Sequence, residues 1–288
     1  MIRNILVPVA GDGSDEAAFA AALVAARLDG AHLQFLHVRL DVVAVLSAMS
    51  ADASVGMTML QSTVDDLETD AQAGVARARA AVAAFCAANA IPLDDAGAQP
   101  GQISASFTAE TGDAADIVAV AGRFADLIVS QRLPKRDMET GVLQTALVAS
   151  GRPVLIASGV TPTVAGGTVV IAWKDRPEAA RAVAYAMPLL ERAGRVVILS
   201  VEEEGAAPET NCDFLRAALQ WHNPATEIVR MPRGEAPPVQ TLLAKATELG
   251  AGLLVMGGYS HSRLRETIFG GFTRSVLNGV SLPVLMAH

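Results

Sequence analysis

The chain has 288 residues, enough for roughly two domains of ordinary size, and each half is long enough to bury a core. Apolar residues make up 51% of the chain and aromatic residues only 4%, a composition suited to helices packed on a buried sheet. The net charge of −8 argues against the basic surface that binding to a phosphate backbone requires, so no nucleic-acid partner is expected.

The first predicted element is a β-strand near residues 2–9. It carries one basic residue, and Pro8 and Gly11 stop its apolar run, so the segment is too short for a secretory signal. The chain has no run of 18 apolar residues, because even residues 17–28 are interrupted by Arg27. We therefore expect a cytoplasmic protein with no membrane partner.

Short apolar runs alternate with segments of helical period along the whole chain. This alternation is typical of a parallel sheet covered by helices on both faces. In the first half it predicts strands near residues 2–9, 32–38, 102–108, 126–131 and 153–158. In the second half it predicts strands near residues 168–173, 195–201, 225–231, 252–256 and 282–287. The expected fold class is α/β, with two tandem, doubly wound, parallel five-stranded sheets.

Two helices carry further signals. A helix over about 62–90 has apolar residues at steps of three and four, which predicts a core-facing stripe of Val64, Leu67, Ala71, Val75, Ala78, Val82 and Phe85. The first helix of the second half is predicted to open with Asp175 as a cap residue, followed by Pro177 and Glu178. Cys86 and Cys212 fall in helices without the spacing of a zinc or redox pair, so we expect both in the core.

The two halves are duplicates of one unit. Residues 5–11 match residues 169–175, and the last strand of each half begins with a proline, Pro153 or Pro283. A missing N–H is tolerated best on a sheet edge, so these last strands are candidate interfaces.

The predicted domains are 1–159 and 168–288, joined by a linker over 160–167. Residues 40–60 have no counterpart in the second half; they are an ordinary insertion, a lid or a partner surface.

The most informative segment is the loop that follows the strand near 252–256, because it contains the glycine pairs Gly257–Gly258 and Gly270–Gly271. In doubly wound sheets, ligands bind beyond the carboxyl ends of the strands, where a glycine-rich turn and a helix N-terminus can face a phosphate. The corresponding first-half loop, 130–138, has no glycine pair and belongs to a connection four residues shorter. No phosphate cradle is expected there.

Gly257, the loop after it, Gly270 and the strand Ser281–Met286 together resemble the C-terminal signature of the universal stress protein family, and the duplication extends the resemblance over nearly the whole chain. ATP-binding members carry Gly-x-x-Gly, nine residues, then Gly followed by Ser or Thr. The matching positions are Gly257, Ser260, Gly270 and Gly271.

Three departures from the family pattern concern the nucleotide. Ser260 adds a side chain where the pattern has glycine, and Gly271 lacks the hydroxyl, for which Thr273 is the nearest replacement. The aspartate that ATP-binding members carry after the first strand is replaced by Ala10 and Lys174.

The resemblance implies a non-enzymatic stress-response or regulatory protein whose halves pack as an internal pseudo-dimer through their last strands, with or without a further homodimer. It also implies at most one adenine-nucleotide site, for ATP or AMP, with Mg²⁺ only if ATP is bound. The residues assigned to this site are the backbone of Gly257, Gly258, Gly270 and Gly271, together with Ser260, Thr273, Arg263, Arg265, Val201 and Trp173. On the alternative interpretation the glycines only form a tight turn, the arginines are solvated and Trp173 caps the core.

Two further functions remain open. A weak ATPase or nucleotidyl transferase would need a metal-binding carboxylate, for which Asp175 and Glu202 are placed. A small-molecule or lipid sensor would use Met256, Phe269 and Phe272 as an apolar lining. His261 has no partner at a known catalytic spacing, and the histidines have no metal-ligand spacing, so we expect neither a triad nor a metal site.

Overall fold

A computed structural model describes residues 1–43, 57–94, 101–131, 140–201, 211–232, 236–258 and 281–288, without the side chains of 57–63 and 140. The first half contains β1 (Asn4–Pro8), α1 (Glu16–Asp29), β2 (His32–Arg39), α2 (Met57–Ala88), β3 (Ser104–Thr111), α3 (Ala114–Gly122), β4 (Leu127–Gln131), α4 (Thr140–Ala149) and β5 (Val154–Ala157). The second half contains β6 (Thr168–Ala172), α5 (Pro177–Leu190), β7 (Arg195–Val201), α6 (Asn211–Gln220), β8 (Thr226–Met231), α7 (Pro238–Glu248), β9 (Ala251–Gly257) and β10 (Val284–Ala287). All ten predicted strands are present.

The strands form one continuous sheet in the order β3-β2-β1-β4-β5-β10-β9-β6-β7-β8. Neighbouring strands within each half are parallel, whereas β5 and β10 pair antiparallel, with Leu285 opposite Leu155. The predicted α/β class and the packing of the halves through their last strands are confirmed. The expectation of two sheets needs one correction, because this pairing fuses them into a single ten-stranded sheet.

The two prolines lie at the centre of this sheet. Pro153 and Pro283 each come one residue before the last strand of their half, and their carbonyls accept hydrogen bonds of 3.0 Å from the amides of Ile128 and Leu254. Each half would end in an edge strand that tolerates proline, and these two edge strands, β5 and β10, are the ones that pair to join the halves.

Two apolar clusters fill the two faces of the sheet, because successive residues of a strand point to opposite sides. Ile5 and Val7 belong to the cluster that also contains residues of α1, α2, α5 and α6, while Leu6 belongs to the cluster on the other face, with residues of α3, α4 and α7. Cys86 and Cys212 are buried in the first cluster, as predicted.

Helix α2 is longer at its start than predicted and packs on the sheet over only part of its length. Ala78 and Val82 are buried, but Leu67 is 36% exposed, so the predicted core-facing stripe is wrong at this position. The contact begins where Gly11 meets Gly74 and Ala78: a Cβ on Gly11 would lie 3.0 Å from the Gly74 carbonyl oxygen and from the Ala78 Cβ. Of the predicted insertion, residues 44–56 lie outside the described residues.

Helix α5 begins one residue later than the predicted cap implies. Pro177 occupies the first turn as expected, but the N-cap is Arg176, which has extended backbone and makes no side-chain cap hydrogen bond. The residue before a proline is driven away from helical geometry, so Arg176 is the boundary residue and Asp175 lies outside the helix. No helix among the described residues has the length and apolar character to cross a membrane.

Candidate functional site

The candidate site lies at the carboxyl ends of β6, β7 and β9, beside the N-terminus of α5. We call this place the second mouth, and the equivalent place at β1, β2, β4 and α1 the first mouth. In each half the strand order reverses here, which is where ligands bind in doubly wound sheets. Of the predicted site residues, the structure describes Trp173, Val201, Gly257 and Gly258. The remaining ones lie outside the described residues, and they are Ser260, Arg263, Arg265, Gly270, Gly271 and Thr273.

Trp173 and Val201 reach the second mouth from opposite faces of the sheet. Trp173 is partly buried against the α5 side, and its indole Nε1–H donates to Asn211 Oδ1 at 3.3 Å. Its backbone amide donates to the Leu199 carbonyl at 2.9 Å, which continues the ladder beyond β6. Val201 packs on the α7 side. The two side chains therefore flank the strand ends rather than sharing one surface.

Gly257 is in close contact with helix α5. A Cβ at Gly257 would lie 2.6 Å from the Ala179 nitrogen and 2.8 Å from the Glu178 carbonyl carbon, so no side chain fits there. This glycine lets the end of β9 approach the first turn of α5. The contact agrees with the interpretation of Gly257 as a turn and packing residue, and it leaves the phosphate interpretation of the following loop as a prediction.

Both backbone groups of Gly258 are hydrogen-bonded. Its amide donates to the Ala287 carbonyl at 2.8 Å, and its carbonyl accepts from His288 Nδ1 at 3.3 Å. The Gly258 amide thus extends the pairing of β9 with β10. In this arrangement a phosphate would have to use other donors of the second mouth.

The N-terminus of α5 places partial positive charge at the second mouth, because its first amides have no intrahelical acceptor. Two carboxylates lie nearby: Asp175 is exposed, and Glu178 has a buried Oε2 without a hydrogen-bond partner. Glu202, the other predicted metal ligand, lies outside the described residues, within which no cluster of three potential metal ligands is found.

Met256 does not line the second mouth. It is buried in the apolar cluster on the α7 side, so it cannot serve the lining proposed for a small-molecule or lipid sensor. Phe269, Phe272 and His261 lie outside the described residues.

The first mouth is filled by a carboxylate of the chain itself. Asp15 is buried, and its two carboxylate oxygens accept hydrogen bonds from the amides of Ala10 at 2.8 Å and Gly11 at 2.9 Å. Burial raises the pKa of Asp15 because it removes water from the charged form, an effect that the two amides oppose and Asp12 reinforces. Sequence reasoning missed this residue, although Asp12 and Asp15 among glycine and serine between a strand and a helix are a turn signal.

A polar network surrounds this carboxylate. Asp12 accepts hydrogen bonds from the amide and hydroxyl of Ser14, which lower the pKa of Asp12. Gln131, at the end of β4, donates through Nε2 to Ser14 Oγ at 2.8 Å. His37 is buried and donates from Nδ1 to the Val9 carbonyl at 2.8 Å, because a carbonyl oxygen can only accept. The first mouth therefore holds the buried Asp15 carboxylate, with the exposed Asp12 carboxylate nearby in the same turn.

His222 lies on the surface near the end of α6, where its Nδ1 pairs with Glu191 Oε1 at 3.0 Å. This exposed pairing agrees with the expectation that His222 is a surface residue at a helix end.

The second half matches a known family. Residues 167–288 match the sequence model described as "Universal stress protein family". Comparison with curated proteins gives no match.

Solved structures resemble the chain over its full length. A universal stress protein from Archaeoglobus fulgidus DSM 4304 has a TM-score of 0.71 and 17% identity, covering 99% of this chain and 95% of that one. A functionally unknown protein from Pseudomonas aeruginosa PAO1 has a TM-score of 0.57 and 18% identity, covering 99% of this chain and 92% of that one. At these identities the likeness concerns the fold.

Proposed function

We propose that the protein is a non-enzymatic stress-response regulator, because residues 167–288 match the universal stress protein family model and the first half has the same strand order. It binds at most one adenine nucleotide, ATP or AMP, at the second mouth, with Mg²⁺ accompanying ATP. The first half supports the sheet and binds no nucleotide.

The observation that carries this proposal is the difference between the two mouths. In the first, the Asp15 carboxylate already occupies the amides of Ala10 and Gly11. A phosphate placed there would be repelled by that carboxylate, since like charges at short range repel each other. In the second mouth the position that matches Ala10 is the cation Lys174, and the carboxylates of Asp175 and Glu178 lie nearby. The first amides of α5 favour anions because they and the helix dipole point outward.

Within this proposal the predicted loop residues keep their roles. Gly270 and Gly271 supply backbone amides to phosphates, with Ser260 and Thr273 nearby, and Arg263 or Arg265 supplies positive charge. Trp173 and Val201 border the base from the two faces of the sheet. Gly257 and Gly258 hold the end of β9 against α5 and β10, so their contribution is to the shape of the second mouth.

The proposal is tested by calorimetric titration with ATP, ADP and AMP, with and without Mg²⁺. We expect one site per chain, lost in Gly270→Val and retained in Gly159→Val. The second variant is a matched control because a Cβ at Gly159 meets nothing within 4 Å. Two sites per chain would contradict the assignment to one half, and no binding up to about millimolar ligand would remove the nucleotide from the proposal.

Catalysis is tested separately by phosphate release. Steady release of phosphate from ATP that disappears in Gly270→Val and persists in Gly159→Val would make the protein an ATPase and overturn the non-enzyme assignment. Binding without release is the result we expect.

A further inference from the structure

Helix α6 has a second apolar face that points to solvent. Its inner face buries Cys212 and Leu219, whereas Phe214 is 75% and Trp221 is 90% exposed. Ala217 and Ala218, between the two aromatic residues, are also exposed. Phe214, Ala217 and Ala218 are spaced so that they share one side of α6, and Trp221 follows in the turn one residue beyond the helix, where its amide donates to the Ala218 carbonyl. We call these four residues the outer stripe. Exposed large apolar side chains grouped in this way mark interaction surfaces.

The order of sizes in the outer stripe is self-complementary. If two copies of α6 lie antiparallel with their midpoint between Ala217 and Ala218, each Phe214 faces the Trp221 of the other copy. The alanines then face each other at the centre. Small residues there let the two helices approach closely, while the aromatic rings pack at both ends, where offset or edge-to-face geometries are favourable.

The antiparallel orientation avoids placing like carboxylates opposite each other. In that register Asp213 of one copy lies opposite His222 of the other, whereas parallel helices would place the two Asp213 carboxylates together. Within the chain, Asp213 is held by Arg230 at 2.7 Å and Arg216 at 3.6 Å, and His222 by Glu191 at 3.0 Å, so both ends of the stripe carry charges of both signs. Antiparallel helices also oppose their dipoles favourably.

The area available sets the strength of this contact. Aromatic side chains present on the order of 150–250 Å² each, so four largely exposed rings offer roughly 700 Å² in total. Stable interfaces bury about 1,200–2,000 Å², so the rings alone support a weak, reversible contact.

We propose that the outer stripe of α6 is a homodimer interface, in which two copies of this chain pair antiparallel through Phe214, Ala217, Ala218 and Trp221. The resulting dimer is isologous and closed, since the same residues of both copies meet around a twofold axis. We expect its dissociation constant to be about micromolar or larger. The proposal depends on α6 alone and is independent of nucleotide binding.

The first experiment is sedimentation velocity of the full chain over a concentration series from about 1 to 300 μM. We expect the dimer fraction to rise with concentration, and Trp221→Glu to weaken dimerisation at least tenfold. Phe124→Glu is the matched control, because Phe124 is 78% exposed but lies in the first half, between α3 and β4. A wild-type monomer at every concentration, or equal weakening by the two variants, would overturn the interface.

The second experiment tests the register by cysteine cross-linking. Asp213→Cys and His222→Cys are prepared separately and then oxidised alone or mixed, and the two native cysteines are buried. Antiparallel pairing predicts a disulfide dimer mainly in the mixture, because like positions are nine residues apart, about 14 Å at the helical rise. Cross-linking of each variant alone, without a gain on mixing, would show a parallel pair and refute the proposed register.

Discussion

Gly257 and Gly258 are adjacent, yet an added methyl group should affect them very differently. At Gly257 the new Cβ would lie 2.6 Å from the Ala179 nitrogen, about an ångström inside ordinary van der Waals contact. The clashing atoms are backbone of α5, so no change of rotamer relieves them. Overpacking costs about 1–3 kcal/mol, and a rigid neighbour places Gly257→Ala at the upper end of that range.

Gly258→Ala is the matched control. Its Cβ would lie 3.2 Å from Leu147 Cδ2 and 3.3 Å from Met286 Cε, which are ends of flexible side chains. Neither glycine has a positive φ, so alanine also gains about 0.4–1 kcal/mol by restricting the unfolded chain. We expect a net change of less than about 1 kcal/mol for this variant.

The comparison is made by equilibrium urea unfolding without nucleotide, and circular dichroism monitors the loss of structure. Gly257→Ala should lower the midpoint with an unchanged slope, and Gly258→Ala should leave it close to wild type. A wild-type midpoint for Gly257→Ala would refute the role of this glycine in packing β9 on α5. Equal losses in both variants would refute the distinction between rigid backbone and movable side chains.

Three further predictions concern the two halves. Because burial raises the pKa of Asp15, the folded protein holds this proton more tightly than the unfolded chain; the free energy of unfolding should fall as the pH rises from about 4 through the raised pKa. Asp15→Asn should lose this part of the slope in urea titrations at several pH values, and equal slopes would contradict it. Phe35→Ala removes a fully buried ring whose centroid lies 5.0 Å from that of Phe19 and 6.0 Å from that of Phe85. The free energy of unfolding, measured in urea, should therefore fall by about 3–5 kcal/mol. Asn223→Asp replaces an amide that donates to two backbone carbonyls by a carboxylate that cannot, so its thermal midpoint should fall by several degrees, corresponding to at least about 2 kcal/mol; a wild-type midpoint would contradict this.

The strands were predictable because parallel strands buried on both faces are continuous apolar runs. Residues 195–201 illustrate this: their apolar run became β7 with the same bounds. The cap of α5 was not predicted correctly, because the steric effect of Pro177 on Arg176 outweighed the capping preference of Asp175. Leu67 was misplaced because periodicity shows which side of a helix is apolar, but not how far the neighbouring sheet extends beneath it.

The candidate site was less predictable than the fold. A glycine pair after a buried strand indicates a tight turn, but the lack of space for a side chain at Gly257 comes from the backbone of α5, which is distant in sequence. The Asp15 network was missed because the family pattern has its aspartate directly after the first predicted strand, 2–9, and that position is Ala10. The carboxylate that binds the Ala10 amide comes from five residues further along, at the start of α1.

Because one sheet joins the two halves, a ligand that binds only at the second mouth can affect the stability of the whole chain. The first mouth satisfies its own turn amides through Asp15, so its stability needs no ligand. A ligand at the second mouth would contact the ends of strands that continue through β10 into β5 of the first half. A ligand that binds only the folded state stabilises it in proportion to the logarithm of its concentration. If unfolding is cooperative across β5 and β10, nucleotide should therefore raise the unfolding midpoint of both halves together. Two separate unfolding transitions, of which nucleotide shifts only that of the second half, would show that binding does not stabilise the first half through the pairing of β5 with β10.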